Sequence, residues 1–398
     1  MDTSRNQKKN RLIALAFACV LMLLVYGPLA RWFDVADRFL FDQFAGRMPA
    51  VALEDGYIIS IDDPRATSEE LLDTYGKIVE VLKRGGVARI IMPNPPTIAE
   101  GNAVPRWVAR MADGESRVYV PTDNAFAPHA TRTGFVDISV DADEVLRRTR
   151  LWQLQGGEMQ AALPLAIMLD QPDWSGAPRM SSSDDTVFLS RYAQLPRLDP
   201  ERVLGLNFNS RQLYGATVFV DAEPELIEAK AMLPSGQYVT SSEFTAALLA
   251  DVEANRTVIA PGWAAALQWL APVLLAIVAV LFMPERSRAD IVLLTAGVLV
   301  LLLLLEALTL FVLKARLDLG KPIIIYAGVS LMSLWMVGNP KKATTDAFKR
   351  GSAFLSAGRL EPAFAEFRQC PPSDTLADVM YKLSLAFEQQ AKPERAEA

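Results

Sequence analysis

Four long apolar segments divide this chain of 398 residues. The first, residues 12–29, has no charged residue, and about 20 such residues are enough to cross a bilayer. Three more segments follow a long gap, at residues 263–283, 291–313 and 323–338, and Glu306 is their one acidic residue. The pattern predicts four transmembrane helices.

Basic residues next to these spans predict their orientation in the membrane. Residues 1–11 contain four basic residues and one acidic residue, and no small-residue cleavage site follows the first span, so we expect an uncleaved helix with a cytoplasmic amino end. Further basic residues at 284–290 and after residue 339 indicate that these two segments are cytoplasmic as well. The prediction is a multi-pass cytoplasmic (inner) membrane protein with both termini in the cytoplasm and residues 31–261 outside it.

Between the first two spans, the hydrophobic pattern predicts an α/β domain. Residues 57–61 form an apolar strand, residues 68–84 an amphipathic helix ending at two glycines, and residues 87–92 a second strand. This order is the crossover unit of a parallel sheet. A helix over residues 32–47 is expected to continue stiffly from the first span, with an apolar face formed by Trp32, Val35, Ala36, Phe39, Leu40 and Phe44. Later strands are expected at 117–120, 134–138, 148–154, 185–190 and 217–220, later helices at 158–169 and 242–252, and loops at 171–184 and 191–211.

Charge and cysteine content agree with this division. Residues 31–261 contain 33 acidic and 22 basic residues, a net charge of −11, whereas the rest of the chain has 13 and 18. A nucleic-acid partner is not expected, because it calls for a clustered basic face. The two cysteines, Cys19 and Cys370, lie outside residues 31–261, so a domain of this size must form its core without disulfides.

Two adjacent carboxylates, Asp62 and Asp63, end the strand in YIISIDDP. One reading is a receiver-like magnesium and phosphate site, which needs a third Asp and a Lys at neighbouring strand ends. Another is a glycosidase-like acid and base pair, whose carboxylates face each other across a substrate. The third, which the sequence favours, is a polar strand end with Pro64 opening a turn.

No other pattern of catalytic residues stands out. His129 is the one histidine, in a loop with a neighbouring proline, and the phosphate-loop, dinucleotide and nucleophile-elbow motifs are absent from the sequence. We therefore expect no enzyme activity, no catalytic residue, no cofactor and no metal site.

Several stretches together resemble CHASE sensor domains of type two, the cyclase and histidine-kinase associated extracellular sensing domains. FDQFAGRMP resembles their first helix, YIISIDD their first strand, and GFVDISVDADEVLRRTRLW, the most specific match, a strand, an Asp-rich turn, paired arginines and a returning strand. LPLAIML and LYGATVFV resemble the later helix and strand. The resemblance covers residues 31–338 in patches, and it implies a sensor domain between one span and three.

The cytoplasmic segment, residues 339–398, is expected to be all-helical. Residues 352–365 align with 385–398 at an offset of 33, which is close to the 34-residue period of tetratricopeptide repeats. A plain helical hairpin is the alternative. The segment also resembles the repeats of bacterial Ser/Thr kinases that carry this sensor, but the kinase motifs are missing.

Glu306 is costly to place in a membrane span and so needs a partner. Tyr326 and Ser330, on the next span at comparable depth, are the predicted partners. A structural hydrogen bond is favoured over an ion pathway, which would need more polar residues.

These features predict a membrane-bound sensor or signalling scaffold. An unknown extracytoplasmic ligand would act on the domain, with Asp62, Asp63, Arg147 and Arg148 as candidate ligand or rim residues, and residues 339–398 would bind a cytoplasmic signalling protein. The lipid bilayer is a further partner, and a homodimer is allowed. The alternatives are an assembly subunit of an envelope complex and, less favoured, an envelope hydrolase that uses Asp62 or Asp63.

Overall fold

A computed structural model describes residues 2–61, 67–98, 103–138, 140–174, 186–188, 191–222, 231–283, 286–336, 340–370 and 372–389. Candidate residues Asp62 and Asp63 lie outside this described part, as do the final residues of the predicted second repeat. The fold is mixed α/β with a parallel sheet, in agreement with the predicted class.

The helices, in chain order, are α1 (Asp2–Tyr26), α2 (Ala30–Ala45), α3 (Ser68–Arg84), α4 (Arg106–Ala109), α5 (Leu163–Leu169), α6 (Pro200–Leu204), α7 (Ser241–Glu253), α8 (Gly262–Phe282), α9 (Arg288–Leu308), α10 (Gly320–Met336), α11 (Pro340–Ser356), α12 (Leu360–Phe367) and α13 (Asp374–Gln389). Short 3₁₀ turns cover Ala127–His129 and Ser210–Leu213, and a π-helical turn, Thr309–Leu313, extends α9.

The strands are β1 (Gly56–Ile61), β2 (Arg89–Ile91), β3 (Arg117–Pro121), β4 (Arg132–Gly134), β5 (Arg148–Arg150), β6 (Trp152–Gln155), β7 (Glu158–Ala161), β8 (Thr186–Phe188), β9 (Arg197–Leu198), β10 (Thr217–Ala222), β11 (Ala231–Met232), β12 (Tyr238–Val239) and β13 (Val258–Ile259).

The packing of the chain forms two compact units. One comprises Met22–Leu275 and Gly297–Ile325, and we call it the α/β unit. The other comprises Met1–Leu21, Ala276–Ala296 and Tyr326–Ala398, and we call it the helical unit. Helices α1, α8, α9 and α10 contribute residues to both units.

A six-stranded parallel sheet forms the centre of the α/β unit, in the order β4-β3-β2-β10-β1-β9. Successive side chains of a strand point to opposite faces of the sheet, and both faces of this sheet are buried. Ile58 packs into the core on the α5 and α7 side, whereas Ile59 packs into the core on the α3 side. The sheet is therefore covered by helices on both faces.

Helix α3 confirms its predicted bounds, and its cap explains why. Thr67 is the N-cap, directly before the first helical residue, Ser68. Its hydroxyl accepts the Glu70 backbone N–H, and the Glu70 carboxylate accepts the Thr67 N–H in return. This capping box satisfies donors that the first helical turn leaves open.

Residues 134–169 depart from the prediction. The predicted strand over 134–138 corresponds to β4, which ends at Gly134, and the predicted strand over 148–154 is two strands, β5 and β6. The predicted helix over 158–169 begins as β7, which pairs with β6 across Gly156 and Gly157. Both glycines have positive φ angles, as a tight hairpin turn requires. The helix proper, α5, covers only the second half of the predicted range.

A second, antiparallel sheet connects the domain to a membrane helix. Strand β8 pairs with β5 on one side and with β13 on the other, and β13 ends three residues before α8 begins. Ile259 also exchanges backbone hydrogen bonds with the segment after α9: its N–H donates to the Lys314 carbonyl at 2.9 Å, and its carbonyl accepts from the Arg316 N–H at 3.0 Å. The start of α8 and the end of α9 are thus joined through their backbones.

The described residues contain fewer candidate membrane spans than the four predicted. Helices α8 and α9 are long and apolar enough to cross a membrane, and α1 with α2 makes a third candidate only as a bent pair. The predicted fourth span corresponds to α10, whose described part has 17 residues. At 1.5 Å per residue this part is about 26 Å long, shorter than a bilayer core of about 30 Å.

Helix α2 does not continue α1 stiffly. The two helices meet at an angle of 81° after a break at Gly27–Leu29. A proline, Pro28, lies in this break and cannot donate the backbone hydrogen bond that a continuous helix needs. On the predicted apolar face of α2, Trp32, Val35 and Phe39 are exposed, whereas Phe44 packs against a buried cluster that includes Phe41. Only part of this face therefore packs on the domain.

In the helical unit, α11, α12 and α13 pack around their own core. Phe367 and Phe387 are buried in it with Leu360, Ala363 and Leu383. The Phe367 ring packs directly against Gly351 of α11, where a Cβ atom would lie only 2.7 Å from the ring, so glycine is needed at this position. Helices α11 and α12 form a pair, and α13 follows them. This order is compatible with one helical pair and the first helix of a second pair.

Candidate functional site

The candidate site of the α/β unit is built around Arg147, whose side chain is only 2% exposed. It lies at the end of the Asp-rich turn, just before β5. Its Nε and Nη2 donate to the two carboxylate oxygens of Asp42 at 2.8 Å each. Its Nη1 donates to Asp141 at 3.0 Å and to Asp143 at 2.7 Å, and Nη2 donates to Asp143 at 2.8 Å.

We call these four residues the Arg147 cluster. A guanidinium group has five N–H donors, and the cluster gives each of them an acceptor. Burial by itself lowers the pKa of Arg147, but hydrogen bonds to Asp42, Asp143 and Asp141 raise it well above its ordinary value. The hydrogen bond from Arg147 in turn lowers the pKa of Asp143. The guanidinium is therefore permanently charged.

The cluster joins two separate parts of the chain. Asp42 belongs to α2, the helix that follows the first apolar helix, whereas Asp141 and Asp143 belong to the turn before β5. Paired, fork-like contacts between Arg and a carboxylate fix both distance and orientation. A displacement of this turn is therefore expected to move α2 with it.

A second group of contacts ties α2 to the start of α10. The buried Asp37 carboxylate accepts the Gly320 backbone N–H at 2.6 Å. A Cβ atom at Gly320 would lie at the same distance from that oxygen, so the approach requires glycine. Burial raises the pKa of Asp37 to about 7, and the nearby Asp318 carboxylate adds to the rise. Lys321, the next residue, pairs with Asp34 at 2.5 Å.

Between these contacts lies a cavity of about 410 Å³, which we call the polar cavity. Its lining carries four carboxylates and four cationic groups, so it suits a ligand that has both charges. The lining residues are Tyr26, Asp34, Asp37, Arg38, Asp141, Ala142, Arg148, Gln268, Arg316, Asp318 and Lys321.

The two predicted arginines have different surroundings. Arg147 is buried in its cluster and does not line the polar cavity. Arg148 lines the cavity, is 62% exposed, and lies 3.5 Å from Asp141. The sequence alone does not distinguish them. It also does not single out Asp42, Asp141 or Asp143, although the Asp-rich turn of the quoted motif contains two of these three.

The intramembrane candidates are all buried. The Glu306 carboxylate lies near the backbone of Leu317 and Leu319, in the loop after α9, and its Oε2 is buried with no hydrogen-bond partner among the described residues. The Ser330 hydroxyl donates to the backbone carbonyl of Tyr326, one turn earlier in its own helix, at 2.7 Å. The pairing of Glu306 with Tyr326 or Ser330 stays a prediction.

Another carboxylate, Asp251 on α7, is half-buried and faces a small pocket lined also by Lys314 and Arg256. Burial raises the pKa of Asp251 to about 7, although these two cations act in the opposite direction. The pocket volume is about 20 Å³, which is room for about one water molecule. This site is too small for an organic ligand.

Among the described residues, no group of three or more His, Cys, Asp or Glu side chains is arranged to hold a metal ion. The three carboxylates of the Arg147 cluster are instead held by a guanidinium. Comparisons of this chain with protein-family models, with curated proteins and with solved structures found no match.

Proposed function

We propose that this protein is a membrane-bound sensor or signalling scaffold. Its α/β domain perceives an extracytoplasmic ligand or envelope state, and its helices pass the response to a cytoplasmic partner. The proposal takes the orientation from the basic residues that flank the apolar segments, with both termini in the cytoplasm. The resemblance of residues 134–152 to CHASE domains of type two is part of this proposal.

The observation that carries the proposal is the double connection between the domain and the apolar helices. Arg147 binds Asp42 of α2, and the next three residues, β5, continue through β8 and β13 to the start of α8. Both connections begin at one turn, so a change in that turn reaches two helices at once. A ligand drives such a change only if it binds two conformations with different affinity.

The polar cavity is our proposed ligand site, because it is lined by the same turn and by α2. Asp141 contributes to both the cavity and the Arg147 cluster, and Arg148 follows Arg147 directly. A ligand in the cavity that neutralises Asp141 would compete with Arg147 for this carboxylate. Binding would then alter the contact that holds α2.

The proposed cytoplasmic partner binds α11, α12 and α13. Tyr381 and Leu385, one turn apart on α13, expose large apolar side chains. Exposed apolar side chains that lie together mark surfaces for protein binding. We propose that the cytoplasmic partner packs on this face.

The test uses the tagged full chain in native membranes, with the variants Arg147→Met and Arg150→Met. Arg150 is 55% exposed and does not line the polar cavity. Proteins captured by each form are identified and quantified, and the chain without residues 339–398 serves as the control. A sensor is expected to lose or gain a cytoplasmic partner in Arg147→Met but not in Arg150→Met. If all three full-length forms capture the same proteins in the same amounts, the chain is an assembly subunit and the proposal fails.

The hydrolase alternative has its own test. The variant Asp62→Asn/Asp63→Asn is compared with the unchanged protein on glycoside and phosphoester substrates. Activity that disappears with the substitution would replace the sensor proposal.

A further inference from the structure

Helix α2 departs from the usual arrangement of polar and apolar side chains. A surface helix of a water-soluble domain turns its apolar stripe to the core and its charged residues to solvent. In α2 the side facing the protein buries Phe41 and Ala45, but it also carries four charged residues, Asp34, Asp37, Arg38 and Asp42. The opposite side carries large apolar side chains that are exposed.

The uncovered face consists of large side chains at helical spacing. Trp32 is 78% exposed, Val35 54% and Phe39 59%. They lie three and four residues apart, so they form one stripe. Such a stripe is stable next to an apolar surface and costly in water.

The position of the stripe identifies that surface. Helix α2 begins four residues after α1 ends and is turned by 81° from it. If α1 crosses the bilayer, α2 runs close to the membrane plane. The neighbouring helix ends also carry aromatic residues: Tyr26 stacks on Trp269 at 4.5 Å between ring centroids, and Trp263 is exposed at the start of α8. Tyr and Trp at helix ends are typical of the membrane interface.

We propose that α2 lies in the interfacial layer of a phospholipid bilayer, with Trp32, Val35 and Phe39 inserted among the lipid chains. The charged face then holds the domain through Arg147 and Gly320, and the apolar face holds the lipid. This surface does not depend on the proposed signalling role, because an assembly subunit could have it as well.

The test measures the depth of single nitroxide labels on the full chain, reconstituted in phosphatidylcholine nanodiscs. The native thiols are removed by Cys19→Ser and Cys370→Ser, and labels are placed by Val35→Cys and Phe39→Cys. Collision with oxygen, which concentrates in lipid, is compared with collision with a water-soluble nickel chelate. Leu206→Cys, fully exposed on the domain, is the aqueous control.

Both α2 labels are expected to favour oxygen over the nickel chelate and to lie about 5–10 Å below the headgroup boundary. The label at position 206 is expected to show the opposite preference. Each labelled variant must melt at the same temperature as the unlabelled protein, which these exposed positions should permit.

Three results would overturn the proposal. A nickel preference at positions 35 and 39 would place the stripe in water. Low collision with both reagents, together with spin–spin broadening that disappears on dilution with unlabelled protein, would show that a second copy of this chain covers it. Low collision without broadening would indicate cover by the same chain and would exclude lipid as well.

Discussion

The Arg147 cluster makes a sharp prediction, because a matched control is the next residue. Arg147→Met keeps an apolar stem of similar length but removes five hydrogen bonds and leaves three carboxylates close together. Arg148→Met removes the same chemical group from a side chain that is mostly exposed and lies 3.5 Å from one carboxylate. The two variants have the same composition and net charge.

The expected loss follows from burial. Removing one partner from a buried ion pair costs about 3–5 kcal/mol, because the remaining charge is left without compensation. Asp42 and Asp143 are partly exposed, and water relieves some of this cost, so we expect a loss near 3 kcal/mol. For a domain of this size, such a loss lowers Tm by about 6–12 °C. An exposed pair such as Arg148 contributes about 0–1 kcal/mol.

The assay is thermal unfolding of the full chain in one detergent, followed by circular dichroism. A double-mutant cycle that adds Asp42→Leu separates the Arg147–Asp42 contact from the rest of the cluster. The reasoning is refuted if Arg147→Met and Arg148→Met unfold within about 2 °C of each other, since about 1 kcal/mol or less would then separate them.

Three further predictions concern other buried positions. Because burial raises the pKa of Asp251 to about 7, the native state retains a proton that the unfolded chain releases near its ordinary pKa of 3.8. Stability should therefore fall as pH rises from about 4 to 7, by no more than about 4 kcal/mol, and Asp251→Asn should reduce the fall in Tm between pH 5 and pH 8. Gly320→Ala should cost about 1–3 kcal/mol in thermal unfolding, because the new Cβ atom meets the Asp37 carboxylate. Phe367→Ala should cost about 3–5 kcal/mol in the C-terminal helices and speed their cleavage by protease.

Each of these variants has a control in the same part of the chain. Glu253→Gln changes an exposed carboxylate on the same helix as Asp251 and should leave the pH dependence in place. Gly297→Ala adds a Cβ atom with no neighbour within 4 Å and should leave Tm unchanged or slightly raised. Tyr381→Ala removes an exposed ring and should not increase cleavage. Equal effects of variant and control would contradict the corresponding prediction.

The elements that could be predicted from sequence are those fixed by local signals. Helix α3 has capping residues at one end and glycines at the other, and β1 and β10 are short apolar runs buried on both faces. The error over residues 158–169 came from a glycine pair, QGGE, whose hairpin geometry competes with a helical pattern. The pairing of β5 with β8 and β13 joins residues far apart in the chain, which no local pattern shows.

The site was harder to predict than the fold. Two adjacent arginines differ only in the direction of their side chains, and that direction depends on where β5 begins. Asp42 contributes because α2 turns away from α1 at a short break, and the angle of such a break cannot be read from residue types. The apolar stripe of α2 was visible in the sequence, but periodicity does not tell whether a stripe faces a core or a lipid.

The backbone hydrogen bonds of Ile259 limit how α8 and α9, the hairpin of two long apolar helices, can move. Two hydrogen bonds fasten the beginning of α8 to the residues that leave α9. Sliding one of these helices along the other by a single residue, about 1.5 Å, would stretch both bonds. A piston stroke of one helix alone is therefore opposed, and the hairpin is expected to respond by tilting or rotating as a pair.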